Sequence, residues 1–282
     1  MCGCVMLESF VDFDEIEKRP WVIFFWSLVL TSIAILVANQ LWFHINISGI
    51  NVNLTGIFSV MFTVIPSVFF VTMVIKREEA LEEEHIKKHY FGGGWFWQRH
   101  EKDLIVFLLY FTGVTLAFTI WSMILPGDAF LVQTAKINQI HGLTGAATGA
   151  LSGASSASQA SIFYSIFMNN MQVMIFAFLF SFIFGAGAVF ILVWNASILG
   201  VYIGQLTKHF LDIPVVSLSF IPHGVPEIAG YIMAGLAGGL ISAAVIRRHG
   251  SKVLSVVVTD AIKIMIVAFV LILLAAGIEV YV

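Results

Sequence analysis

Long apolar stretches separated by short polar ones dominate the chain, and their lengths predict membrane-spanning helices. A helix crosses the hydrocarbon core of a bilayer with about 20 apolar residues, each rising about 1.5 Å. Five stretches have the length of one span each: Trp21–Phe43, Gly56–Ile75, Leu104–Leu125, Val225–Ile246 and Val253–Gly277. A further uncharged stretch, Ser161–Gln205, is long enough for two.

This longest stretch is predicted to fold as two helices joined by a tight turn. The segment 185–187 reads Gly-Ala-Gly near its middle, and glycine permits a sharp reversal. Cations collect on the cytoplasmic side of membrane proteins, which favours the same interpretation. With seven spans and a cytoplasmic N-terminus, Lys136 and Lys208 lie outside. The inner side then carries Lys18, Arg19, Lys76, Arg77, Lys87, Lys88, Arg99, Lys102, Arg247, Arg248 and Lys252.

Composition supports the membrane class and excludes others. Hydrophobic residues make up 59% of the 282 residues and charged residues only 11%, whereas about 25% is usual in soluble domains. A net charge of −3 with no basic field argues against nucleic acid as a partner. Cys2 and Cys4 are too few for a disulfide framework and are expected to be free thiols. The sequence therefore predicts an all-α, polytopic transmembrane helical bundle of about seven spans in the cell membrane, with its C-terminus outside and the lipid bilayer around it.

The longer polar segments divide this bundle. Residues 76–103 are rich in Glu, Lys and Arg, which indicates a cytoplasmic helix or loop at the end of a two-span N-terminal segment, 1–103. Its sequence over 91–97, Phe-Gly-Gly-Gly-Trp-Phe-Trp, suggests a flexible joint beside interfacial aromatic residues. On the outer side, residues 142–161 are almost all Gly, Ala, Ser and Thr, which is typical of a low-complexity linker.

Three asparagines are predicted to lie near the middle of the membrane. Asn169 and Asn170 come eight or nine residues into the fourth span, and Asn195 comes about ten residues after the turn. The two spans form an antiparallel hairpin, so their amides are expected to meet. They either hold the helices together by hydrogen bonds or line a polar pocket.

Small residues spaced four apart predict close helix packing. Gly200 and Gly204 end the fifth span, and the sixth carries Gly230, Ala234, Gly238 and Ser242 at spacing four, with Gly235 and Gly239 beside them. Such residues let two backbones approach closely, so the sixth span is expected to be buried in the bundle.

The most concentrated polar signal precedes the sixth span. The sequence Pro-His-Gly-Val-Pro-Glu over 222–227 predicts a helix that begins at Pro226, with Glu227 in its first turn. His223, Glu227 and Glu279 then form a cluster at the outer membrane face. The cluster is either a hydrogen-bonded cap or an incomplete metal site. His223 and Glu227 would supply two ligands, whereas a zinc site takes three or four. No catalytic motif is present, so we expect no catalytic residues, no metal and no cofactor.

The same residues resemble the stage II sporulation protein M family. The resemblance covers 161–282 best and extends from 104, and it rests on these elements in order: Phe167-Met168-Asn169-Asn170, Gly185, Asn195, Gly200, Pro222-His223-Gly224-x-x-Glu227, Ala234-Gly235 with Gly238, and Ala275-Ala276-x-x-Glu279. The chain departs from the family in having Asn195-Ala196 where Asn-Gly is common.

The resemblance implies a five-span core over 104–282, preceded by two added spans as in longer archaeal-type members. In spore-forming bacteria the member of this family is a membrane component of an engulfment machine that works with cell-wall hydrolases. The resemblance does not imply that this chain takes part in the same process. Three hypotheses follow: a scaffold or assembly component that binds other membrane or envelope proteins, a small-solute or ion transporter, and an intramembrane metal- or lipid-dependent enzyme. The oligomeric state is left open.

Overall fold

The structure is a computed structural model that describes residues 19–41, 43–47, 50–69, 72, 96–148, 159–246 and 251–281. Across these residues the chain is almost entirely helical, and six helices are long and apolar enough to cross a membrane. The predicted all-α polytopic bundle is therefore confirmed. Cys2, Cys4 and most of the charged segment 76–103 lie outside the described residues.

The elements are numbered along the chain. They are α1 (Trp21–Gln40), β1 (His44–Ile47), β2 (Ile50–Asn53), α2 (Thr55–Phe69), α3 (Phe96–Ile124), α4 (Leu131–Thr148), α5 (Gln159–Phe184), α6 (Ala188–Leu206), a 3₁₀ turn (Phe210–Asp212), α7 (Ile213–Leu218), α8 (Ile221–Ile246) and α9 (Ser251–Tyr281).

Six of the seven predicted spans correspond to α1, α3, α5, α6, α8 and α9. The other predicted span, Gly56–Ile75, is represented by α2, which is apolar but shorter as far as the description reaches. The long uncharged stretch is two helices, as predicted. Gly185 adopts a φ of +69° between them, a left-handed conformation that glycine adopts without a steric penalty.

Two segments predicted as loops are helical instead. Residues 142–148 belong to α4, so the linker predicted over 142–161 is wrong there, and α5 already begins at Gln159. The fourth helix is fixed by a buried face made of Phe130, Gln133 and Ile137, whose helical spacing precedes the Gly/Ala-rich region. Likewise α3 begins at Phe96, inside the predicted joint.

The predicted helix start at Pro226 is also wrong, because α8 begins at Ile221 and contains Pro226. The N–H that proline lacks would have bonded the carbonyl of Pro222, in the first turn of the same helix, so the loss is confined to one bond near the end. The turn before it is closed by the Gly224 N–H, which donates to the Phe220 carbonyl at 2.7 Å. Glu227 consequently lies in the second turn of the helix rather than the first.

The helices pack in two groups. In one, α3 lies between α1 and α6; in the other, α8 lies against both α5 and α9. The most apolar part of α8 is 78% buried, and its long run of small residues explains why it occupies the interior. Where α6 meets α5, Ser181 Oγ accepts a hydrogen bond from the Ala188 N–H at 3.1 Å.

One end of the bundle, here called the hairpin end, carries the two antiparallel strands β1 and β2. The Asn53 amide donates to Asp128 at 3.2 Å, and the Gly56 N–H donates to the Ala129 carbonyl at 2.9 Å. Gln133 is fully buried beneath them, and its Nε2 donates to the Gly56 carbonyl at 3.0 Å. These bonds join the segments before α2 and α4, which the sequence predicts only as outer loops.

A buried hydroxyl pair joins α2 to α3 and carries a testable expectation. The Tyr110 hydroxyl bonds Ser67 Oγ at 2.6 Å, and both residues are buried. Ser67 also donates to the Thr63 carbonyl, so it keeps one partner when the tyrosine is changed. Tyr110→Phe should therefore lower the free energy of unfolding in mixed micelles by about 1 kcal/mol. A Ser67→Ala background should remove most of that effect, and an equal loss in both backgrounds would contradict the pairing.

Candidate functional site

Most of the polar residues predicted at the membrane midplane or at its outer face lie where α5, α8 and α9 come together near the hairpin end. Gly230 sets the approach of the last two helices, because a Cβ added there would lie 3.0 Å from Ile272 and 3.2 Å from the Ala268 carbonyl. Counting three residues outward from this contact, Glu227 lies level with about residues 271–275 of α9. Ala275 and Ala276, at the outer edge of this range, are fully buried.

Glu227 is the centre of the site. It is half-buried on α8, and the Tyr231 hydroxyl, one turn further on, donates to its Oε1 at 2.6 Å. Tyr231 is only 1% exposed, so this hydrogen bond is shielded from solvent. A short bond to a carboxylate in such surroundings fixes the side chain in one position. The sequence analysis missed Tyr231, although its spacing of four from Glu227 on a helix is the signal that would have found it.

Asn170 on α5 lies beside the same carboxylate, close enough to interact with it. Its Oδ1 accepts a hydrogen bond from the Asn169 amide at 3.3 Å. The residue is 3% exposed, and within the described part of the chain its Nδ2 makes no hydrogen bond of ordinary geometry. A buried amide group without a partner costs free energy.

Glu279 completes the group from α9. Its negative charge acts on Glu227, and its own side chain is exposed near the end of the helix. The Tyr281 and Phe163 rings, whose centroids are 6.4 Å apart, pack this end of α9 beside α5. We call Asn170, Glu227, Tyr231 and Glu279 the Glu227 cluster. The midplane asparagines and the outer acids, predicted as two groups, thus contribute to one.

Two predicted members lie apart from the cluster. Asn195 donates to the Ile191 carbonyl of its own helix at 2.7 Å, so the predicted meeting with Asn169 and Asn170 is wrong. The reason is rotational, since depth along a helix does not fix which neighbour a side chain faces. His223 is half-buried against the Phe220 ring, and among the described residues it forms no hydrogen bond or ion pair with either glutamate.

The predicted packing glycines lie at helix contacts. A Cβ at Gly200 would meet the Thr115 carbonyl at 2.5 Å, and Gly204 faces Ser122 and Thr119 of the same neighbour, α3. On α8, a Cβ at Gly235 would meet Ala188 at 2.5 Å, whereas Gly239 is simply buried. Gly238, one of the small residues at spacing four on the predicted sixth span, faces the backbone at Phe178 of α5.

The chemistry of the cluster follows from its donor atoms. The described residues contain no group of three or more His, Cys, Asp and Glu side chains that could hold a metal ion. The cluster offers two carboxylates, a phenol and an amide, all of which present oxygen and none of which forms a nucleophile–base pair. It suits recognition of a cation or a proton better than covalent catalysis.

Comparison with known proteins adds the family. A model of the family described as Stage II sporulation protein M matches residues 104–282, which include α4 to α9 and nearly all of the apolar part of α3. Neither a curated protein nor a solved structure matches the chain. The match spans well over half of the 282 residues and includes every member of the Glu227 cluster. The chain is therefore a multi-pass membrane protein that belongs to the stage II sporulation protein M family.

Proposed function

We propose that this protein is an assembly component of the cell membrane, and that it binds a partner membrane protein through α5. The observation that carries the proposal is an exposed amide, Gln172, near the middle of that helix. Counted at about 1.5 Å per residue, it lies about 20 Å from each end of α5, the depth at which a polar side chain is most costly in lipid.

The surroundings of Gln172 form a continuous exposed face. Only 22% of the most apolar part of α5 is buried, against 78% for α8. The exposed positions follow a spacing of three or four, as on one side of a helix. We call this face the α5 stripe: Tyr164, Met168, Gln172, Ile175, Leu179 and Ile183.

An apolar stripe alone would fit lipid, but the amide does not. Gln172 makes no hydrogen bond within the described residues, so its two donors and its acceptor need a partner from elsewhere. Hydrogen bonds between polar side chains at matched depth join transmembrane helices at about 1 kcal/mol each. The occupant we infer is a membrane-spanning helix of another protein, with an amide or hydroxyl side chain at the same depth and apolar residues on either side.

Removing the amide should weaken the complex without unfolding the chain. Gln172→Leu keeps the apolar stripe and removes the hydrogen-bonding group, so recovery of the partner by affinity purification in mild detergent should fall several-fold. Thr112→Val is the matched control: Thr112 is also exposed on a spanning helix, but its hydroxyl donates to the Leu108 carbonyl of its own helix at 2.7 Å. Equal recovery with both variants would contradict the proposal, as would a complex made only of second copies of this chain.

We also propose the orientation. The positive-inside rule supports a cytoplasmic N-terminus and an external hairpin end, since Lys136 and Lys208 are the cations that the sequence assigns to that side. The distribution of exposed apolar residues agrees with an interfacial position for the segment after α6, where Leu211 and Val215 are 89% and 70% exposed. Labelling of single cysteines introduced at 136 and 208 by an impermeant reagent on intact cells tests this orientation. Labelling only after lysis would contradict it.

A second candidate function is transport of a small solute or ion. It is favoured by one observation, the buried and unpartnered amide of Asn170 beside Glu227 within the spanning helices. Flux into proteoliposomes that depends on Glu227, and is lost in Glu227→Gln and Asn170→Ala, would support it. A wild-type flux no greater than the leak of liposomes without protein would contradict this second function.

A further inference from the structure

We propose that the Glu227 cluster is a binding site for a divalent metal cation of the calcium type, reached from the hairpin end. This inference does not depend on the α5 contact. It rests on the convergence of two carboxylates and one unpartnered amide from three different helices.

The negative charge of the two carboxylates points to a cation. The Glu279 carboxylate lies near enough for its charge to act on Glu227, and within the described part of the chain neither forms an ion pair. The cation nearest to Glu279 along the same helix is Lys263, which is already bonded to Asp260 at 2.7 Å. It lies 16 residues away, or about 24 Å along α9. Two carboxylates held close together are stabilised by a compensating positive charge, and a divalent ion balances both.

The second step is the amide of Asn170. Rotating the amides of Asn169 and Asn170 together by 180° keeps their mutual hydrogen bond, because the donor and the acceptor exchange roles. The same rotation replaces the unpartnered Nδ2 of Asn170 by an oxygen at the position beside Glu227. The pair can thus present either a donor to a bare carboxylate or a neutral oxygen ligand to a cation, at no loss of internal bonding.

The third step is the kind of ion. Carboxylate, amide and phenol oxygens are hard donors, which favour Ca²⁺ and Mg²⁺ over zinc. His223, the described nitrogen donor closest in sequence, packs edge-to-face against Phe220 and forms no hydrogen bond with the described members of the cluster. Ligands from three separate helices suit Ca²⁺ better, because it accepts irregular coordination of six to eight oxygens while Mg²⁺ demands a near-ideal octahedron. Water supplies the remaining ligands.

The fourth step is access. The exposure of the cluster decreases inward: Glu279 is exposed, Glu227 is half-buried and Asn170 is buried. Its outermost carboxylate, that of Glu279, stands about one to two turns nearer the hairpin end than Glu227, as counted from the Gly230 contact. A hydrated ion therefore meets an exposed carboxylate first and a fixed one second, and loses water gradually.

The test uses the full-length protein in detergent micelles or nanodiscs, with CaCl₂ as the probe. Because an ion that binds only the folded state raises stability, millimolar Ca²⁺ should raise the midpoint of thermal unfolding by about 2–5 °C in a saturable manner. Equal ionic strength supplied as NaCl should not. Direct binding of ⁴⁵Ca²⁺ by equilibrium dialysis should give one ion per chain.

Isosteric variants locate the ion. Glu227→Gln can still accept the Tyr231 hydrogen bond, yet it should weaken binding at least about tenfold, as should Glu279→Gln, because affinity follows the number of charged ligands. Asn170→Leu should also weaken it. Asp212→Asn is the control, since Asp212 is an acid near the same end that caps the 3₁₀ turn through the His209 N–H. No saturable Ca²⁺ effect, an equal response to Na⁺, or Ca²⁺ binding that survives Glu227→Gln would each overturn the proposal.

Discussion

Gly200→Ala is expected to destabilise the bundle by about 1–3 kcal/mol, although alanine is the better helix former. The new Cβ would lie 2.5 Å from the Thr115 carbonyl and 2.7 Å from the Phe118 Cβ, so α6 and α3 must move apart. These neighbours are backbone and the rigid root of a side chain, which cannot rotate away. The free energy of unfolding in mixed micelles measures the effect.

Gly277→Ala is the matched control for this prediction. Gly277 also lies within a spanning helix, α9, but nothing approaches within 4 Å of an added Cβ. The same chemical change should therefore be neutral or slightly stabilising there. If both variants lost the same free energy, the cost would come from helix propensity in the membrane, and the close α3–α6 contact would be refuted.

The buried pair Gly56 and Gln133 should give the second large effect, measured as a double-mutant cycle. Gln133→Ala removes a fully buried side chain that bonds the Gly56 carbonyl at 3.0 Å, and should cost about 2–4 kcal/mol. Gly56→Ala places a Cβ against the amide of Gln133, with Cδ at 2.9 Å, and should cost about 1–2 kcal/mol.

The double variant separates this contact from two independent losses. An alanine at 56 fills part of the space that Gln133→Ala leaves, so the double variant should lose about 1–2 kcal/mol less than the sum of the two single losses. Additive losses within about 0.5 kcal/mol would show that α2 and α4 do not meet at these residues. Folding of each variant is checked by gel filtration before the comparison.

The features that the sequence predicted well depend on spacing along the chain. The length of the apolar stretches determines the spans, and the Gly-Ala-Gly segment together with the cation distribution places the turn at Gly185. The packing glycines were identified because small residues four apart form one face of a helix. None of these inferences requires knowing which helices are neighbours.

The features that it missed depend on contacts between distant segments. Asn195 has the expected depth but bonds its own helix, because a small rotation about the helix axis decides which neighbour a side chain faces. The last part of the fourth helix was predicted as a linker because residues 142–161 are almost all Gly, Ala, Ser and Thr, whereas the helix is fixed earlier by Gln133, whose partner Gly56 is 77 positions away in the sequence. Tyr231 follows Glu227 by four residues in the predicted helix as well as in the observed one, but the spacing alone does not show that the two side chains form a hydrogen bond.

Photocrosslinking from the α5 stripe directly tests whether this family member assembles with another membrane protein. A photoreactive amino acid at position 172 is compared in cells with one at position 262, where Ile262 is 55% exposed on α9 outside the stripe. We expect a discrete protein adduct from position 172 and only lipid or diffuse adducts from position 262. Identical patterns from the two positions, or no protein adduct from position 172, would contradict it.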